Sequence, residues 1–110
     1  MSDPSPFLHI ETTRDRDGAP RVVVAGELDI SVAADLEAAA HRHRNGARVL
    51  VLDLSGITFI DSTGISVLVR LHTAMAAGGE RLAILASPQV WKVIELCGLT
   101  DALSVQRPSR

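Results

Sequence analysis

Two apolar runs constrain this chain more than any other feature. Residues 48–54 (RVLVLDL) and 81–86 (RLAILA) are short, rich in Val, Leu and Ile, and bordered by Asn45-Gly46, Gly78-Gly79 and Ser87-Pro88. Runs of this length with almost no polar positions read as buried strands, the first as a central strand covered on both faces. Between them Ile65, Leu68, Val69, Leu71, His72 and Met75 recur at helical spacing until Gly78-Gly79. Strand, helix and strand in that order form a crossover, which joins parallel strands.

The flanking segments extend the pattern. Residues 9–13 and 21–25 are extended candidates, and Asp17-Gly18 between them suggests a hairpin turn. Gly26-Glu27-Leu28-Asp29 ends the second strand. Ser31 is placed to cap a helix over residues 32–43, whose stripe is Val32, Leu36, Ala39, Ala40 and His43. Residues 55–60 bridge to Asp61, where the next helix begins. Ser87-Pro88 is a cap followed by proline at the first helical position, with Val90, Val93, Ile94 and Cys97 inward and Gly98 closing. Residues 103–106 read as a last short strand. The expectation is an α/β fold, a small mixed but largely parallel sheet with helices packed on it. Residues 1–7 read as a flexible leader, 8–106 as a single domain and 107–110 as a tail.

Composition narrows the function. The 110 residues are 46% apolar, enough for one modest core without metal or disulfide. No Tyr, two Phe and one Trp leave little to stack against bases, and Trp91 reads as a packing residue. Eleven basic against thirteen acidic residues give a net charge of −2, which argues against a nucleic-acid partner. Cys97, the sole cysteine, fits a reducing compartment. No signal peptide is expected at the N-terminus, and the apolar runs are too short to span a membrane. A cytoplasmic protein is expected.

Most catalytic constellations are missing. There is no phosphate-cradling G-x-x-x-x-G-K-[ST] and no G-x-S-x-G, since Gly64-Ile65-Ser66-Val67-Leu68 fails at its last position. His41 and His43 lie about 200° apart on a helix and cannot grip one metal together. His9 and His72 stand alone, so no metal or cofactor is expected. Asp61-Ser62-Thr63-Gly64 has one residue too many for the Asp-Thr/Ser-Gly turn of a dimeric aspartic protease, and a helical period follows it. What remains is Ser62 itself. A hydroxyl where a helix starts is either a cap for unpaired N–H groups or a site that can carry phosphate. Asp29 poses a similar question at the first helix, and Gly64 implies that another backbone or a partner must come close.

Together these residues resemble the STAS domain, and within it the anti-sigma factor antagonists of bacteria. The matching segments are Gly26-Glu27-Leu28-Asp29, Val51-Leu52-Asp53-Leu54-Ser55, Phe59-Ile60-Asp61-Ser62-Thr63-Gly64 and Gly98-Leu99, over about residues 8–106. The resemblance implies a non-enzymatic switch without cofactors. The unphosphorylated protein would bind an anti-sigma factor that is also a serine kinase, releasing a sigma factor; phosphorylation of Ser62 would end the complex, and a serine phosphatase would restore it. Thr63 is the secondary acceptor, and Asp29, Asp61, Ser62, Thr63 and Gly64 would form the partner-binding surface. Alternatives are a STAS subunit of a lipid-transport ATPase complex or a stressosome-type scaffold. Relatives usually add a C-terminal helix, which is not expected after residue 106 here, and a monomer or weak dimer is expected.

Overall fold

A computed structural model describes residues 8–14, 16–44 and 46–108. The leader at 1–7 and the end of the tail lie outside the described residues. Five strands and three helices alternate after an opening hairpin: β1 (Leu8–Arg14), β2 (Pro20–Leu28), α1 (Ala33–Arg44), β3 (Val49–Ile60), α2 (Ser62–Ala77), β4 (Arg81–Ala86), α3 (Pro88–Leu96) and β5 (Val105–Gln106). The strands lie side by side in sequence order. β1 pairs antiparallel with β2 across the Asp17-Gly18 turn, and every later pairing is parallel. The mixed, largely parallel sheet is as the sequence leads one to expect. Arg107 and Pro108 are not helical.

Alternation along the strands divides the sheet into two faces. Val22 and Val24 of β2, Leu50, Leu52 and Leu54 of β3, and Leu82, Ile84 and Ala86 of β4 are all buried. They form one cluster with Leu36 of α1, Leu68, Leu71 and Met75 of α2, and Val90 and Ile94 of α3. The other face carries Arg21, Val23, Val51, Asp53, Ala83 and Leu85, mostly half-buried. Two expected inward positions are corrected. Val67, not Val69, faces the core of α2, because Gly64, Val67, Leu68, Leu71 and Met75 make the contiguous stripe. Cys97 is exposed, since it is the C-cap of α3 and the stripe ends at Ile94.

The larger correction concerns β3. Residues 55–60 do not bridge out of the strand; they continue it, through two register shifts against β2. Each shift has a side-chain cause. At the first, Leu54 and Ser55 together oppose Val24. There Asp53 Oδ1 accepts the Ser55 N–H at 3.0 Å and its hydroxyl at 2.6 Å, a local turn that displaces a ladder bond. At the second, Thr58 is the additional residue, and its hydroxyl donates to the Gly26 carbonyl at 3.2 Å. Gly26 has φ +113°, which only glycine adopts readily. The two insertions bring Ile60 opposite Leu28, where an unshifted strand would have put Thr58. The β2–α1 loop and the β3–α2 turn are thereby level with each other.

Asp53 is buried on the second face, with its other oxygen on Arg21. Burial pushes its carboxyl up, but the Ser55 hydroxyl and N–H and the Arg21 guanidinium outweigh it and hold the group below the ordinary carboxylate range. A folded-state value below the unfolded one of about 3.9 means that the unfolded chain takes up protons first as pH falls. Stability is then fully present above about pH 5 and declines below about pH 4. Thermal melts followed by circular dichroism should show this decline, and Asp53→Asn should flatten it while lowering the melting temperature at neutral pH.

Candidate functional site

Both loops at the C-terminal ends of β2 and β3 are built on the same local device. Asp29 Oδ1 accepts the Ser31 N–H at 3.0 Å and the Ser31 hydroxyl at 2.6 Å. Asp61 Oδ1 accepts the Thr63 N–H at 3.0 Å, the Thr63 hydroxyl at 2.5 Å and the Gly64 N–H at 3.2 Å. In each, one carboxylate oxygen closes an Asx turn over the residue two positions on. The Asp29 carbonyl also accepts from the Val32 and Ala33 N–H groups. Asp29 therefore organises the approach into α1, and Ser31, expected as the cap, instead donates to it.

The ambiguity at the second helix is resolved in the same way. Asp61 has extended backbone angles (φ −113°, ψ −172°) and is the N-cap of α2. Its own N–H donates to the Leu28 carbonyl at 3.3 Å, tying the cap to the end of β2. The Thr63 hydroxyl, with the N–H groups of Gly64, Thr63 and Ile30, outweighs partial desolvation and holds the Asp61 carboxyl below the ordinary carboxylate range. Ile30 and Thr63 line one hollow, so the two loops share one surface. With Asp61 as the cap, Ser62 stands exposed at the first helical position. Its hydroxyl has no hydrogen-bond partner among the described residues. Thr63 is half-buried and its hydroxyl is engaged.

Gly64 does not share this surface. It is buried, and a Cβ there would stand 2.8 Å from Ile60 Cγ1 and 3.0 Å from both Leu28 Cγ and the Leu28 carbonyl oxygen. The close approach inferred from its sequence position is thus made by the sheet of its own chain. Gly64 lets the first turn of α2 lie flat on the paired ends of β2 and β3.

Two apolar side chains complete the pole. Ile30, in the β2–α1 loop, is 75% exposed, and Phe59, near the end of β3, is 48% exposed. Ile30 carries a sequence signal of its own, an apolar residue between Asp29 and Ser31 in a loop with little to bury it. A shallow hollow of about 320 Å³ runs from Ile30 and Thr63 between α1 and α2, past Ala33, Ala34 and Ser66. Arg70 closes its far end with a two-pronged contact to Glu37 at 2.9 and 3.0 Å. Glu27, Asp29 and Asp61 make the same pole acidic. Among the described residues there is no cluster that would hold a metal and no helix long and apolar enough to cross a membrane.

The sequence profile described as "Mlab, STAS domain" matches residues 11–106. The chain belongs to the STAS domain family. The anti-sigma-B factor antagonist of Staphylococcus aureus is 33% identical over 100 residues, covering 89% of this chain and 92% of that protein. Its counterpart in Staphylococcus epidermidis is 29% identical over the same lengths. Among solved structures, an anti-sigma factor antagonist from Mycobacterium paratuberculosis superposes with a TM-score of 0.79 at 27% identity, covering 96% of this chain and 89% of that one. Unphosphorylated SpoIIAA shares the fold at 17% identity, with a TM-score of 0.73 and coverage of 93% and 90%. In this STAS domain the shared architecture places the β2–α1 and β3–α2 loops side by side at one pole.

The division of labour between Asp61 and Ser62 has a direct test. Asp61→Ala leaves the Thr63 and Gly64 N–H groups without an acceptor and should cost about 0.5–2 kcal/mol in urea unfolding. Ser62→Ala should stay within about 0.5 kcal/mol of the parent, as for other surface changes. Gly64→Ala, forced against Leu28 and Ile60, should cost about 1–3 kcal/mol in the same measurement.

Proposed function

We propose that this chain is an anti-sigma factor antagonist whose docking pole is switched by phosphate on Ser62. Unphosphorylated, it binds an anti-sigma factor with serine kinase activity, which then lets go of its sigma factor. The kinase phosphorylates Ser62 and ends the complex, and a serine phosphatase restores it. The protein itself performs no catalysis, and such a partner locates it in the cytoplasm. One observation carries the reading: Asp61 takes over the capping role, so the neighbouring hydroxyl is exposed and uncommitted. The names of the staphylococcal relatives support the partner, and a solved structure of SpoIIAA in its phosphorylated form supports modification as a mode of control in this fold.

The electrostatics favour a switch that acts at the interface. Phosphate adds about −1.5 to −2 charges at neutral pH. The Thr63 and Gly64 N–H groups already donate to Asp61 Oδ1, and the Ile65 N–H donates to the Asp61 carbonyl. A phosphate on Ser62 therefore finds the N–H groups of Thr63, Gly64 and Ile65 already engaged, and it projects outward beside Asp61 and Asp29. An opposing carboxylate about 5 Å away is repelled by around 1 kcal/mol per charge in water, and by several times that when partly desolvated. Two charges are then sufficient for a loss of affinity of about 10²-fold. Ile30 and Phe59 supply the apolar contact for the unmodified complex, with Asp29, Ser62 and Thr63 around them. Thr63 is the poorer acceptor, because modification there would remove a hydrogen bond of the cap.

Incubation with the cognate kinase and ATP should add one phosphate, located on Ser62 by mass spectrometry; a phosphate found solely elsewhere overturns the assignment. In calorimetry, Ser62→Ala should bind the anti-sigma factor whether or not ATP is present, and Ser62→Glu should bind about 10²-fold more weakly. Equal affinities for the two variants would remove the charge mechanism.

A further inference from the structure

The pole opposite Ser62 carries a second concave surface, formed where β1 turns into β2, where α1 ends and where β3 begins. It is an open hollow of about 660 Å³. Arg14, Arg42, His43 and Arg48 line it, and Asp17 is the one carboxylate among the described lining residues. The chain is net acidic, yet this end is basic and the Ser62 end acidic.

Part of that charge has a local explanation. His41, Arg42, His43 and Arg44 occupy the last turn of α1, where cations complement the exposed carbonyls. Arg44 is further satisfied by Glu80 at 3.4 Å. The helix does not account for Arg14 and Arg48, which come from β1 and from the segment before β3 and line the same hollow. Arg14 donates to the Gly18 carbonyl at 2.7 Å, which holds its guanidinium against the hairpin wall. Among the described residues no carboxylate forms an ion pair with Arg14, Arg42 or Arg48. Arginines from three segments thus line one hollow, and an anion bound there would offset their mutual repulsion.

We propose that this cleft binds a compact polyphosphate group. Guanidinium forks match phosphate oxygens in pairs, and three of them suit an anion with several charges close together. The lining offers no aromatic ring except His43 and few apolar side chains. It is thus suited to the phosphates of a ligand and not to a base or to the anchors of a peptide. The site is separated from Ser62 by the length of β3, 12 residues at about 3.3 Å each, and is independent of the switch proposed above.

Sodium tripolyphosphate, titrated into the full chain at low salt, should shift the amide resonances of residues 16–20 and 46–49. Arg42→Glu with Arg48→Glu should weaken binding about 100-fold, and the gentler Arg42→Gln with Arg48→Gln should weaken it to a lesser degree with the fold intact by circular dichroism. Ser62→Glu should bind as the parent does. ATP binding like tripolyphosphate, with adenosine inert, supports recognition through the phosphates. The proposal is overturned by no binding at millimolar tripolyphosphate, by binding that survives both double variants, or by an oligoglutamate peptide of equal charge binding equally well.

Discussion

One carboxylate oxygen holds the pole around Ser62 together. Asp61 Oδ1 accepts three hydrogen bonds from the first turn of α2, while the Asp61 N–H reaches back to the carbonyl that ends β2. Helix, turn and sheet are joined at a single residue. An aspartate suits this position because its short side chain reaches the N–H groups two and three residues on without leaving the extended conformation. Its charge also complements the helix N-terminus. The price is a surface that is already anionic before any modification.

The pole also depends on what happens earlier in β3. Parallel strands pair with evenly spaced bonds, so a uniform ladder would have left the two loops out of step. The Asp53–Ser55 turn and the Thr58–Gly26 bond each insert a residue on one side only. Gly64 then permits α2 to settle onto the strand ends so aligned. Three aspartates thus repeat one piece of chemistry for different ends: one starts a helix approach, one bends a strand and one caps a helix.

Much of this was legible in the sequence, for identifiable reasons. Residues 49–54 and 81–86 announce themselves as strands because burial leaves them apolar apart from Asp53 and Arg81. Ser87-Pro88 announces the third helix because its two residues satisfy different demands of the same turn. Residues 55–60 were misleading because bulges destroy the period of two on which strand recognition rests. The cap could not be assigned locally, since Asp61, Ser62 and Thr63 all carry an oxygen able to accept. The choice is made by a carbonyl of β2, far away in the chain. Ile30 is half legible for a related reason: the sequence shows an apolar residue in a loop, but its exposure depends on neighbours that do not cover it.

The outward placement of Ser62 has a consequence for how much of the protein a cell would hold. Chaperones and proteases sort molecules by their unfolded fraction, and a stability difference of about 1–2 kcal/mol between two forms alters abundance several-fold. A side chain that takes no part in holding its helix can be altered without moving that fraction. Under the proposed switch, turnover would then be blind to phosphorylation, and the ratio of the two forms would answer to the modifying enzymes alone.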